Sequence, residues 1–462
     1  MRGLGIIAGM ALVCSAGIVL TASSARAQNN EVTFTKDIAP ILQRSCQSCH
    51  RPDSVAPMSL LTYEDARPFA KAIKERTALR HRRGAMPPWF IEKEIGIQNF
   101  KDDISLTDAE IARIARWADA GAPRGNPADL PPARVFADNA SWQIGTPDLI
   151  VTSPAVEMKA ISPDYWGALP AVPTGLSEDR YVAAMEIKEV NDSRNKPGRA
   201  TVGGLFVFHH AILNVSGSPG AWPVHEVGRN ADIFDAQAGK LMRAGSTISF
   251  PSVHLHANGK ETTAKLQIGF KFHPVGYKPQ IQSTIISIGT DDIDIPGGAS
   301  GISQSAYMTL SQPTKLTVFE PHMHSTGVRM CLEAIYGSQV ETLNCSGYDH
   351  NWVKTYAYQE NAAPLLPRGT ILKVTGYFDN TAANKNVVDP RNWSGLGHRS
   401  IDNMLVMIAQ GVNLSEEQFA QEVAGRRTAL NLSEGQTAPG CPLCAFARIP
   451  GRPAGPAVRP QQ

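Results

Sequence analysis

At 462 residues the chain is too long for one hydrophobic core and implies roughly two to four domains. Its 42% hydrophobic and 19% charged residues are ordinary for a folded globular protein, and a net charge of +2 excludes a nucleic-acid role built on a large basic field. Abundant Gly (39) and Pro (33) favour turns and β-structure over long helices.

The chain opens with the features of a secretory signal over residues 1–27. Arg2 supplies a positive start, an apolar stretch follows from Leu4 to Leu20, and Ala25-Arg26-Ala27 is an A-x-A cleavage pattern. The expected destination is periplasmic or secreted. Cys14 lies inside this segment, and Val13 is too bulky to precede a lipidated cysteine. No later stretch is apolar for long enough to span a bilayer, so no integral membrane span is expected after cleavage. Cys46, Cys49, Cys331, Cys345, Cys441 and Cys444 remain in the mature chain, where export permits disulfides.

Residues 28–128 read as helical. Ile38, Ile41 and Leu42 fall at helical spacing between Asp37 and Ser45. Thr107-x-x-Glu110 is a capping box ahead of Ile111, Ile114, Ala115 and Ala118, with Gly121 as the stop. Pro- and Ala-rich sequence runs from Gly121 to Arg134 and leads into a linker over 129–146. From about Trp142 short alternating segments and turns take over, such as Ala264–Phe270 and Thr370–Phe378. Residues 147–435 are expected to be all-β. They form two sandwiches, 147–300 and 301–435, split at Pro296-Gly297-Gly298. Residues 436–462 read as a Pro/Gly-rich tail, and no solenoid repeat is present.

Cys46-Gln-Ser-Cys49-His50 is the C-x-x-C-H pattern of covalent haem attachment. Two thiols one helical turn apart reach the two vinyl groups of one porphyrin, and the adjacent imidazole falls on the iron. A zinc site would need a second ligand pair close by, which is lacking. The sixth ligand is read as Met86, in Gly84-Ala85-Met86-Pro87-Pro88-Trp89, with Met58 and His81 as alternatives. Residues 32–123 resemble class I cytochrome c domains, from the helix carrying C-x-x-C-H to the loop Met and the final helix. The resemblance implies one covalent haem c that carries electrons.

The 12 histidines include three sharp groups. His209-His210 follow Leu205–Phe208, His254 and His256 follow Ile248-Ser-Phe-Pro, and His322-Met323-His324 follow Leu316–Phe319. In an H-x-H pair on a strand both imidazoles face one side and can meet one metal. His209 and His210 are neighbours, so both bind one ion only at a bend or strand end. Imidazoles alone suit zinc, copper, iron or nickel.

Residues 147–411 resemble the copper type II, ascorbate-dependent monooxygenases, the group of peptidylglycine hydroxylase and dopamine β-hydroxylase. That resemblance implies two jelly-roll-like β-sandwiches behind the small all-α cytochrome c domain, with one copper in each. The first copper takes His209, His210 and His254, with His256 as the alternative to His254. The second takes His322, His324 and Met404, with Met407 as the alternative to Met404, and these three ligands are the expected catalytic set. A thioether beside two imidazoles favours Cu(I). His225, His273, His350 and His398 are left to structure or solvent.

The peptide-amidating relatives hold a substrate carboxylate with an Arg two residues before His-x-His and an Asn and a Tyr after the Met. Here those positions are Glu320, Val406 and Ile408, which cannot bind a carboxylate well. The expected activity is hydroxylation of a small neutral, apolar or cationic organic substrate with O2, using electrons from a reductant or partner cytochrome. The competing expectation is a non-catalytic haem/copper electron carrier or copper-binding protein. Cys331 and Cys345 are symmetric about Ser338, so a hairpin there brings them within disulfide range. Cys441-Pro-Leu-Cys444 lacks a following His, is not a second haem motif, and reads as a local disulfide.

Overall fold

The computed structural model describes residues 31–446 apart from 53, 137–140, 194–195, 197–204 and 229–230. The signal segment, Cys14 and residues 447–462 lie outside the described residues. Strands outweigh helices, and among the described residues no helix is long and apolar enough to cross a membrane.

The N-terminal region carries most of the helix. A π-turn, Phe34–Ile38, runs into the α-helix Ala39–Ser45, and short helices follow at Tyr63–Ala66 and Ala70–Thr77. The Thr107 hydroxyl accepts from the Glu110 N–H and the Glu110 carboxylate accepts from the Thr107 N–H, so the expected capping box starts the helix Asp108–Asp119. Gly121 follows with a left-handed φ of 81°, which glycine adopts without penalty. Phe34, Ile38, Leu42, Ile73, Ile114 and Trp117 form a small core of their own.

Two β-sandwiches follow. In the first, Thr262–Phe272 pairs with Leu149–Thr152 and Arg180–Asn191 in one sheet, and Thr247–Leu255 pairs with Tyr165–Pro173 and Phe208–Val215 in the other. Phe208, Phe250, Leu266 and Phe270 fill the space between them. In the second, Leu405–Asn413 pairs with Gln282–Gly289 and Thr314–Met323, opposed by a sheet of Ser300–Thr309, Ile371–Asp379, Gly327–Tyr336 and Gln339–Gly347.

Three sequence boundaries move. The strand Gln282–Gly289 pairs along its whole length with Leu405–Asn413, so the second sandwich begins before Pro296-Gly297-Gly298. Residues 416–429 are an α-helix inside the stretch read as all-β, started by a Ser415/Gln418 capping box. The tail is docked through residue 446. Cys441 and Cys444 form a disulfide and are buried with Leu365, Phe419 and Val423.

The hairpin disulfide Cys331–Cys345 is present, reached by a slightly different register. Tyr336 pairs with Gln339, a tighter turn than symmetry about Ser338 gives, and an irregularity at Leu332/Glu333 restores the Cys331–Cys345 pair.

The helical unit is not a bead on a linker. Its segment 89–101 lies on the second sandwich. Glu92 and Ile97 donate backbone hydrogen bonds to the carbonyls of Cys345 and Leu343, Trp89 and Phe100 pack on Tyr356, and Glu92 pairs with Arg329.

Candidate metal centre

The first histidine group sits on the strand Phe208–Val215. Its partner register changes by one residue, from Phe208–Leu255 to His210–His254. His209 is therefore the extra residue of a β-bulge, which turns it out of strict alternation. The bulge answers the neighbour problem. One ligand atom from each of His209, His210 and His254 lies within 4.8 Å of the others. His256 is outside this group, and its Nε2 is 3.1 Å from the Phe206 carbonyl oxygen.

The second group lies at the end of the strand Thr314–Met323. His322 pairs with Val406, Glu320 with Ile408, and Met323 with Leu405. Continuing that register puts Met404 level with His324, on the face shared by His322 and Val406. Pro321 pairs with Met407 on the opposite face, where Met407 is fully buried in the sandwich core. Met407 is thereby placed in the core, while Met404 lies just outside the paired strand.

The two groups meet between the sandwiches. The His210 and His322 ring centroids are 6.4 Å apart, and Ser400 of the second sandwich places its Oγ 3.3 Å from His254 Nε2. His350, left to structure or solvent by the sequence, is buried in the same cluster. Its ring centroid is 4.7 Å from that of His209 and 5.6 Å from that of His324. It lies in a turn with no H-x-H partner, so no spacing signal marks it.

The surrounding acids and carbonyls fix individual ring nitrogens. Asp164 Oδ2 is 2.9 Å from His254 Nε2, and Trp166 stacks on the His254 ring with centroids 4.6 Å apart. His209 Nε2 is 3.1 Å from the His350 carbonyl oxygen, which leaves Nδ1 without a partner. Glu226 is paired across the sheet with His210, and its Oε1 reaches to 2.6 Å from His322 Nδ1. His324 Nδ1 and both ring nitrogens of His350 are buried without a hydrogen bond, although the Met323 carbonyl lies near His350. Buried polar atoms in folded proteins are normally paired, so this concentration of unsatisfied imidazole nitrogens fits a metal-ligand role.

Burial is the largest cause keeping these imidazoles neutral, with the neighbouring histidines adding to it. It lowers His210 and His350 to about 3 and holds His209 and His324 well below the usual histidine range. A neutral ring offers a lone pair, which is the ligand form. His225 is buried and pairs across the sheet with Ala211. His273 stacks on Tyr277 and lies 2.8 Å from the Ala238 carbonyl, and His398 is exposed.

At the C-x-x-C-H turn, Cys46 and Cys49 are unbonded, whereas the same spacing at Cys441 and Cys444 closes a disulfide. Burial raises the Cys46 thiol to about 12. His50 Nδ1 is 3.2 Å from the Met58 carbonyl, which leaves Nε2 as the outward ligand atom. Met58 thereby acts through its backbone. Met86 is exposed and, with His81, Trp89, Leu106 and Ile111, lines a cavity of about 230 Å³. Cys46, Cys49 and His50 are not among the residues lining it. Lys354 sits 5.7 Å from the Trp89 ring centroid.

No family model matches the chain, and no curated protein matches it. Among solved structures it is similar to the STIV MCP at 8% identity and a TM-score of 0.20, covering 48% of this chain and 99% of that one. It is also similar to infectious bursal disease virus, Gx strain, at 10% identity and a TM-score of 0.13, covering 66% and 92%. Likeness at these TM-scores carries no argument about fold or function.

Proposed function

We propose that the chain is an exported copper-dependent monooxygenase. It holds one copper at His209, His210 and His254, a second at His322, His324 and Met404, and one haem c on Cys46, Cys49 and His50 with Met86 as sixth ligand. The observation that carries the reading is the buried histidine cluster between the two sandwiches, with ring nitrogens left unsatisfied at His209 and His324. The cytochrome c identity of the helical unit and the copper-monooxygenase identity of the sandwiches belong to this proposal, and rest on the motifs and on the resemblance stated above.

Bound copper supplies one-electron transfers and a place for O2 reduction, and bound haem supplies a one-electron carrier. The chain's own residues do the rest. Asp164 and the His350 carbonyl orient His254 and His209. Glu226 brings its carboxylate to 2.6 Å from His322 Nδ1, on the side away from Nε2. Glu320 and Ile408 share the strand face of His322, which favours a neutral, apolar or cationic substrate over a carboxylate. The overall reaction balances as substrate C–H plus O2, two electrons and two protons giving C–OH and water.

The test is copper and haem quantification on the exported protein, followed by O2 uptake with a reductant and a mass-spectrometric screen for substrates that gain one oxygen. Two coppers, one haem and a copper-dependent oxygenated product support the proposal. Full zinc occupancy with no copper-dependent uptake overturns it, and copper binding without uptake leaves the non-catalytic carrier.

A further inference from the structure

We propose that the cavity beside Lys240, between the two sandwiches, binds a small organic anion whose carboxylate or phosphate pairs with the Lys240 ammonium. The site shares no lining residue with the histidine cluster and stands apart from the copper reading.

Strand alternation brings Lys240 inside. In the strand Lys240–Met242 it pairs with Val182, and Met242, two positions on, is fully buried in the first core. Residues i and i+2 face the same side, so Lys240 also turns inward and is only 6% exposed. Lysine is almost never buried this deeply without a partner for its charge. The Nζ atom lies 5.1 Å from the Trp222 ring centroid, and among the described residues no carboxylate pairs with it. Asp235, which lines a small adjoining cavity, is already paired with Lys315 at 2.8 Å. Burial draws the Lys240 ammonium down to about 8, and no neighbouring charge offsets it.

The space beside this cation is open. A cavity of about 470 Å³ is formed by Tyr181, Gly220 and Lys240 of the first sandwich and Gln282, Ser283 and Thr284 of the second, with prolines and isoleucines around them. That volume falls within the about 300–1,000 Å³ of small-molecule sites. Gly220 has a left-handed φ of 72°, and a Cβ there would stand 4.0 Å from Nζ, so the missing side chain keeps the approach to the ammonium clear. Ser283 Oγ is buried, has no hydrogen-bond partner and belongs to the same lining. Among the described residues that line the cavity there is no Asp or Glu. A cation and a free hydroxyl with no acid beside them complement an oxyanion, and the aliphatic part of the lining takes an apolar body.

The test titrates the full chain calorimetrically with benzoate, phenyl phosphate and neutral benzyl alcohol, and follows acetylation of Lys240 by acetic anhydride with peptide mass spectrometry. Saturable binding of benzoate or phenyl phosphate is expected, with slower acetylation of Lys240 in its presence. The tighter of the two identifies carboxylate or phosphate as the recognised group. Lys240→Met keeps the length of the side chain without its charge and should weaken binding about tenfold or more, whereas Lys240→Arg should retain most of it. Benzyl alcohol should give no protection. If the Met variant loses its far-UV circular dichroism, protection of Lys240 in the native chain decides. Three results overturn the inference: no saturable binding of either anion, affinity unchanged in folded Lys240→Met, or binding that leaves Lys240 acetylation unaltered, which would place the anion elsewhere. Copper content, expected to be the same in native chain and variants, keeps this outcome separate from that of the copper reading.

Discussion

Glu226 lies opposite His210 on the adjacent strand of the first sandwich and brings its carboxylate to 2.6 Å from His322 Nδ1 in the second. One acid thus touches the ligand sets of both sandwiches. Carboxylates in this position commonly stand behind metal-bound histidines.

Glu226→Gln should weaken copper at the second set by about 10- to 100-fold and leave the first set near its original affinity. Competition titration of a His210→Ala chain with and without the change checks this. Equal affinity in both chains would mean that Glu226 does not orient His322.

The two methionines should separate by phenotype. Met407→Ala opens a hole in the second core and should cost about 2–5 kcal/mol in denaturant unfolding. Met404→Ala should cost little stability, and should remove the sulfur scatterer from copper-loaded protein and most of the activity. The reverse pattern would show that the register past Leu405 has been extended wrongly.

Acid should unfold the metal-free protein early. His210 and His350 are lowered to about 3 in the folded chain against 6.5 unfolded, so below pH 6.5 the unfolded state binds protons that the folded state does not. Their contribution to stability is present above pH 6.5 and is lost as the pH falls from 6.5 towards 3. Thermal melts across that window should drop on acidification, and added copper should raise them at neutral pH. A flat profile in the metal-free protein would contradict the burial of these rings.

Cys331→Ser should destabilise the second sandwich by about 3 kcal/mol, because the disulfide closes a loop with a sequence separation of 14. Urea unfolding under oxidising and reducing conditions measures it. A reductant should destabilise the native protein and leave the variant unchanged at this site.

Cys49→Ser should abolish normal two-bond haem attachment while copper still binds, read by haem staining and metal analysis. Loss of both together would show that the helical unit is needed to fold the sandwiches.

The architecture was legible where one residue pattern had one meaning. The Thr107 capping box, the hairpin disulfide and the β-rich half are all of this kind. The first boundary failed because Gln282–Gly289 precedes the Pro-Gly break but finds its partner more than a hundred positions later, at Leu405–Asn413. Ser415-x-x-Gln418 signals the helix that follows, but its strand-rich surroundings mask that signal. At the histidines, spacing correctly posed the difficulty of His209 beside His210 but could not supply the bulge, since a one-residue register change belongs to the partner strand. His350 carried no local pattern at all. Only the packing of the two sandwiches brings it to His209.

The contacts of segment 83–101 bear on how the proposed haem unit would exchange electrons. The Gly84 N–H is tied to Asp349, Glu92 is paired with Arg329, and backbone hydrogen bonds run to Leu343 and Cys345. A carrier domain on a loose tether exchanges electrons by swinging between partners, at a rate set by tether length and ionic strength. Here the helical unit is fastened beside the residue that precedes His350, so separation and orientation are frozen into the fold. Under the proposed function, electron transfer from this unit would be a fixed-distance event, insensitive to viscosity, salt and the composition of the linker.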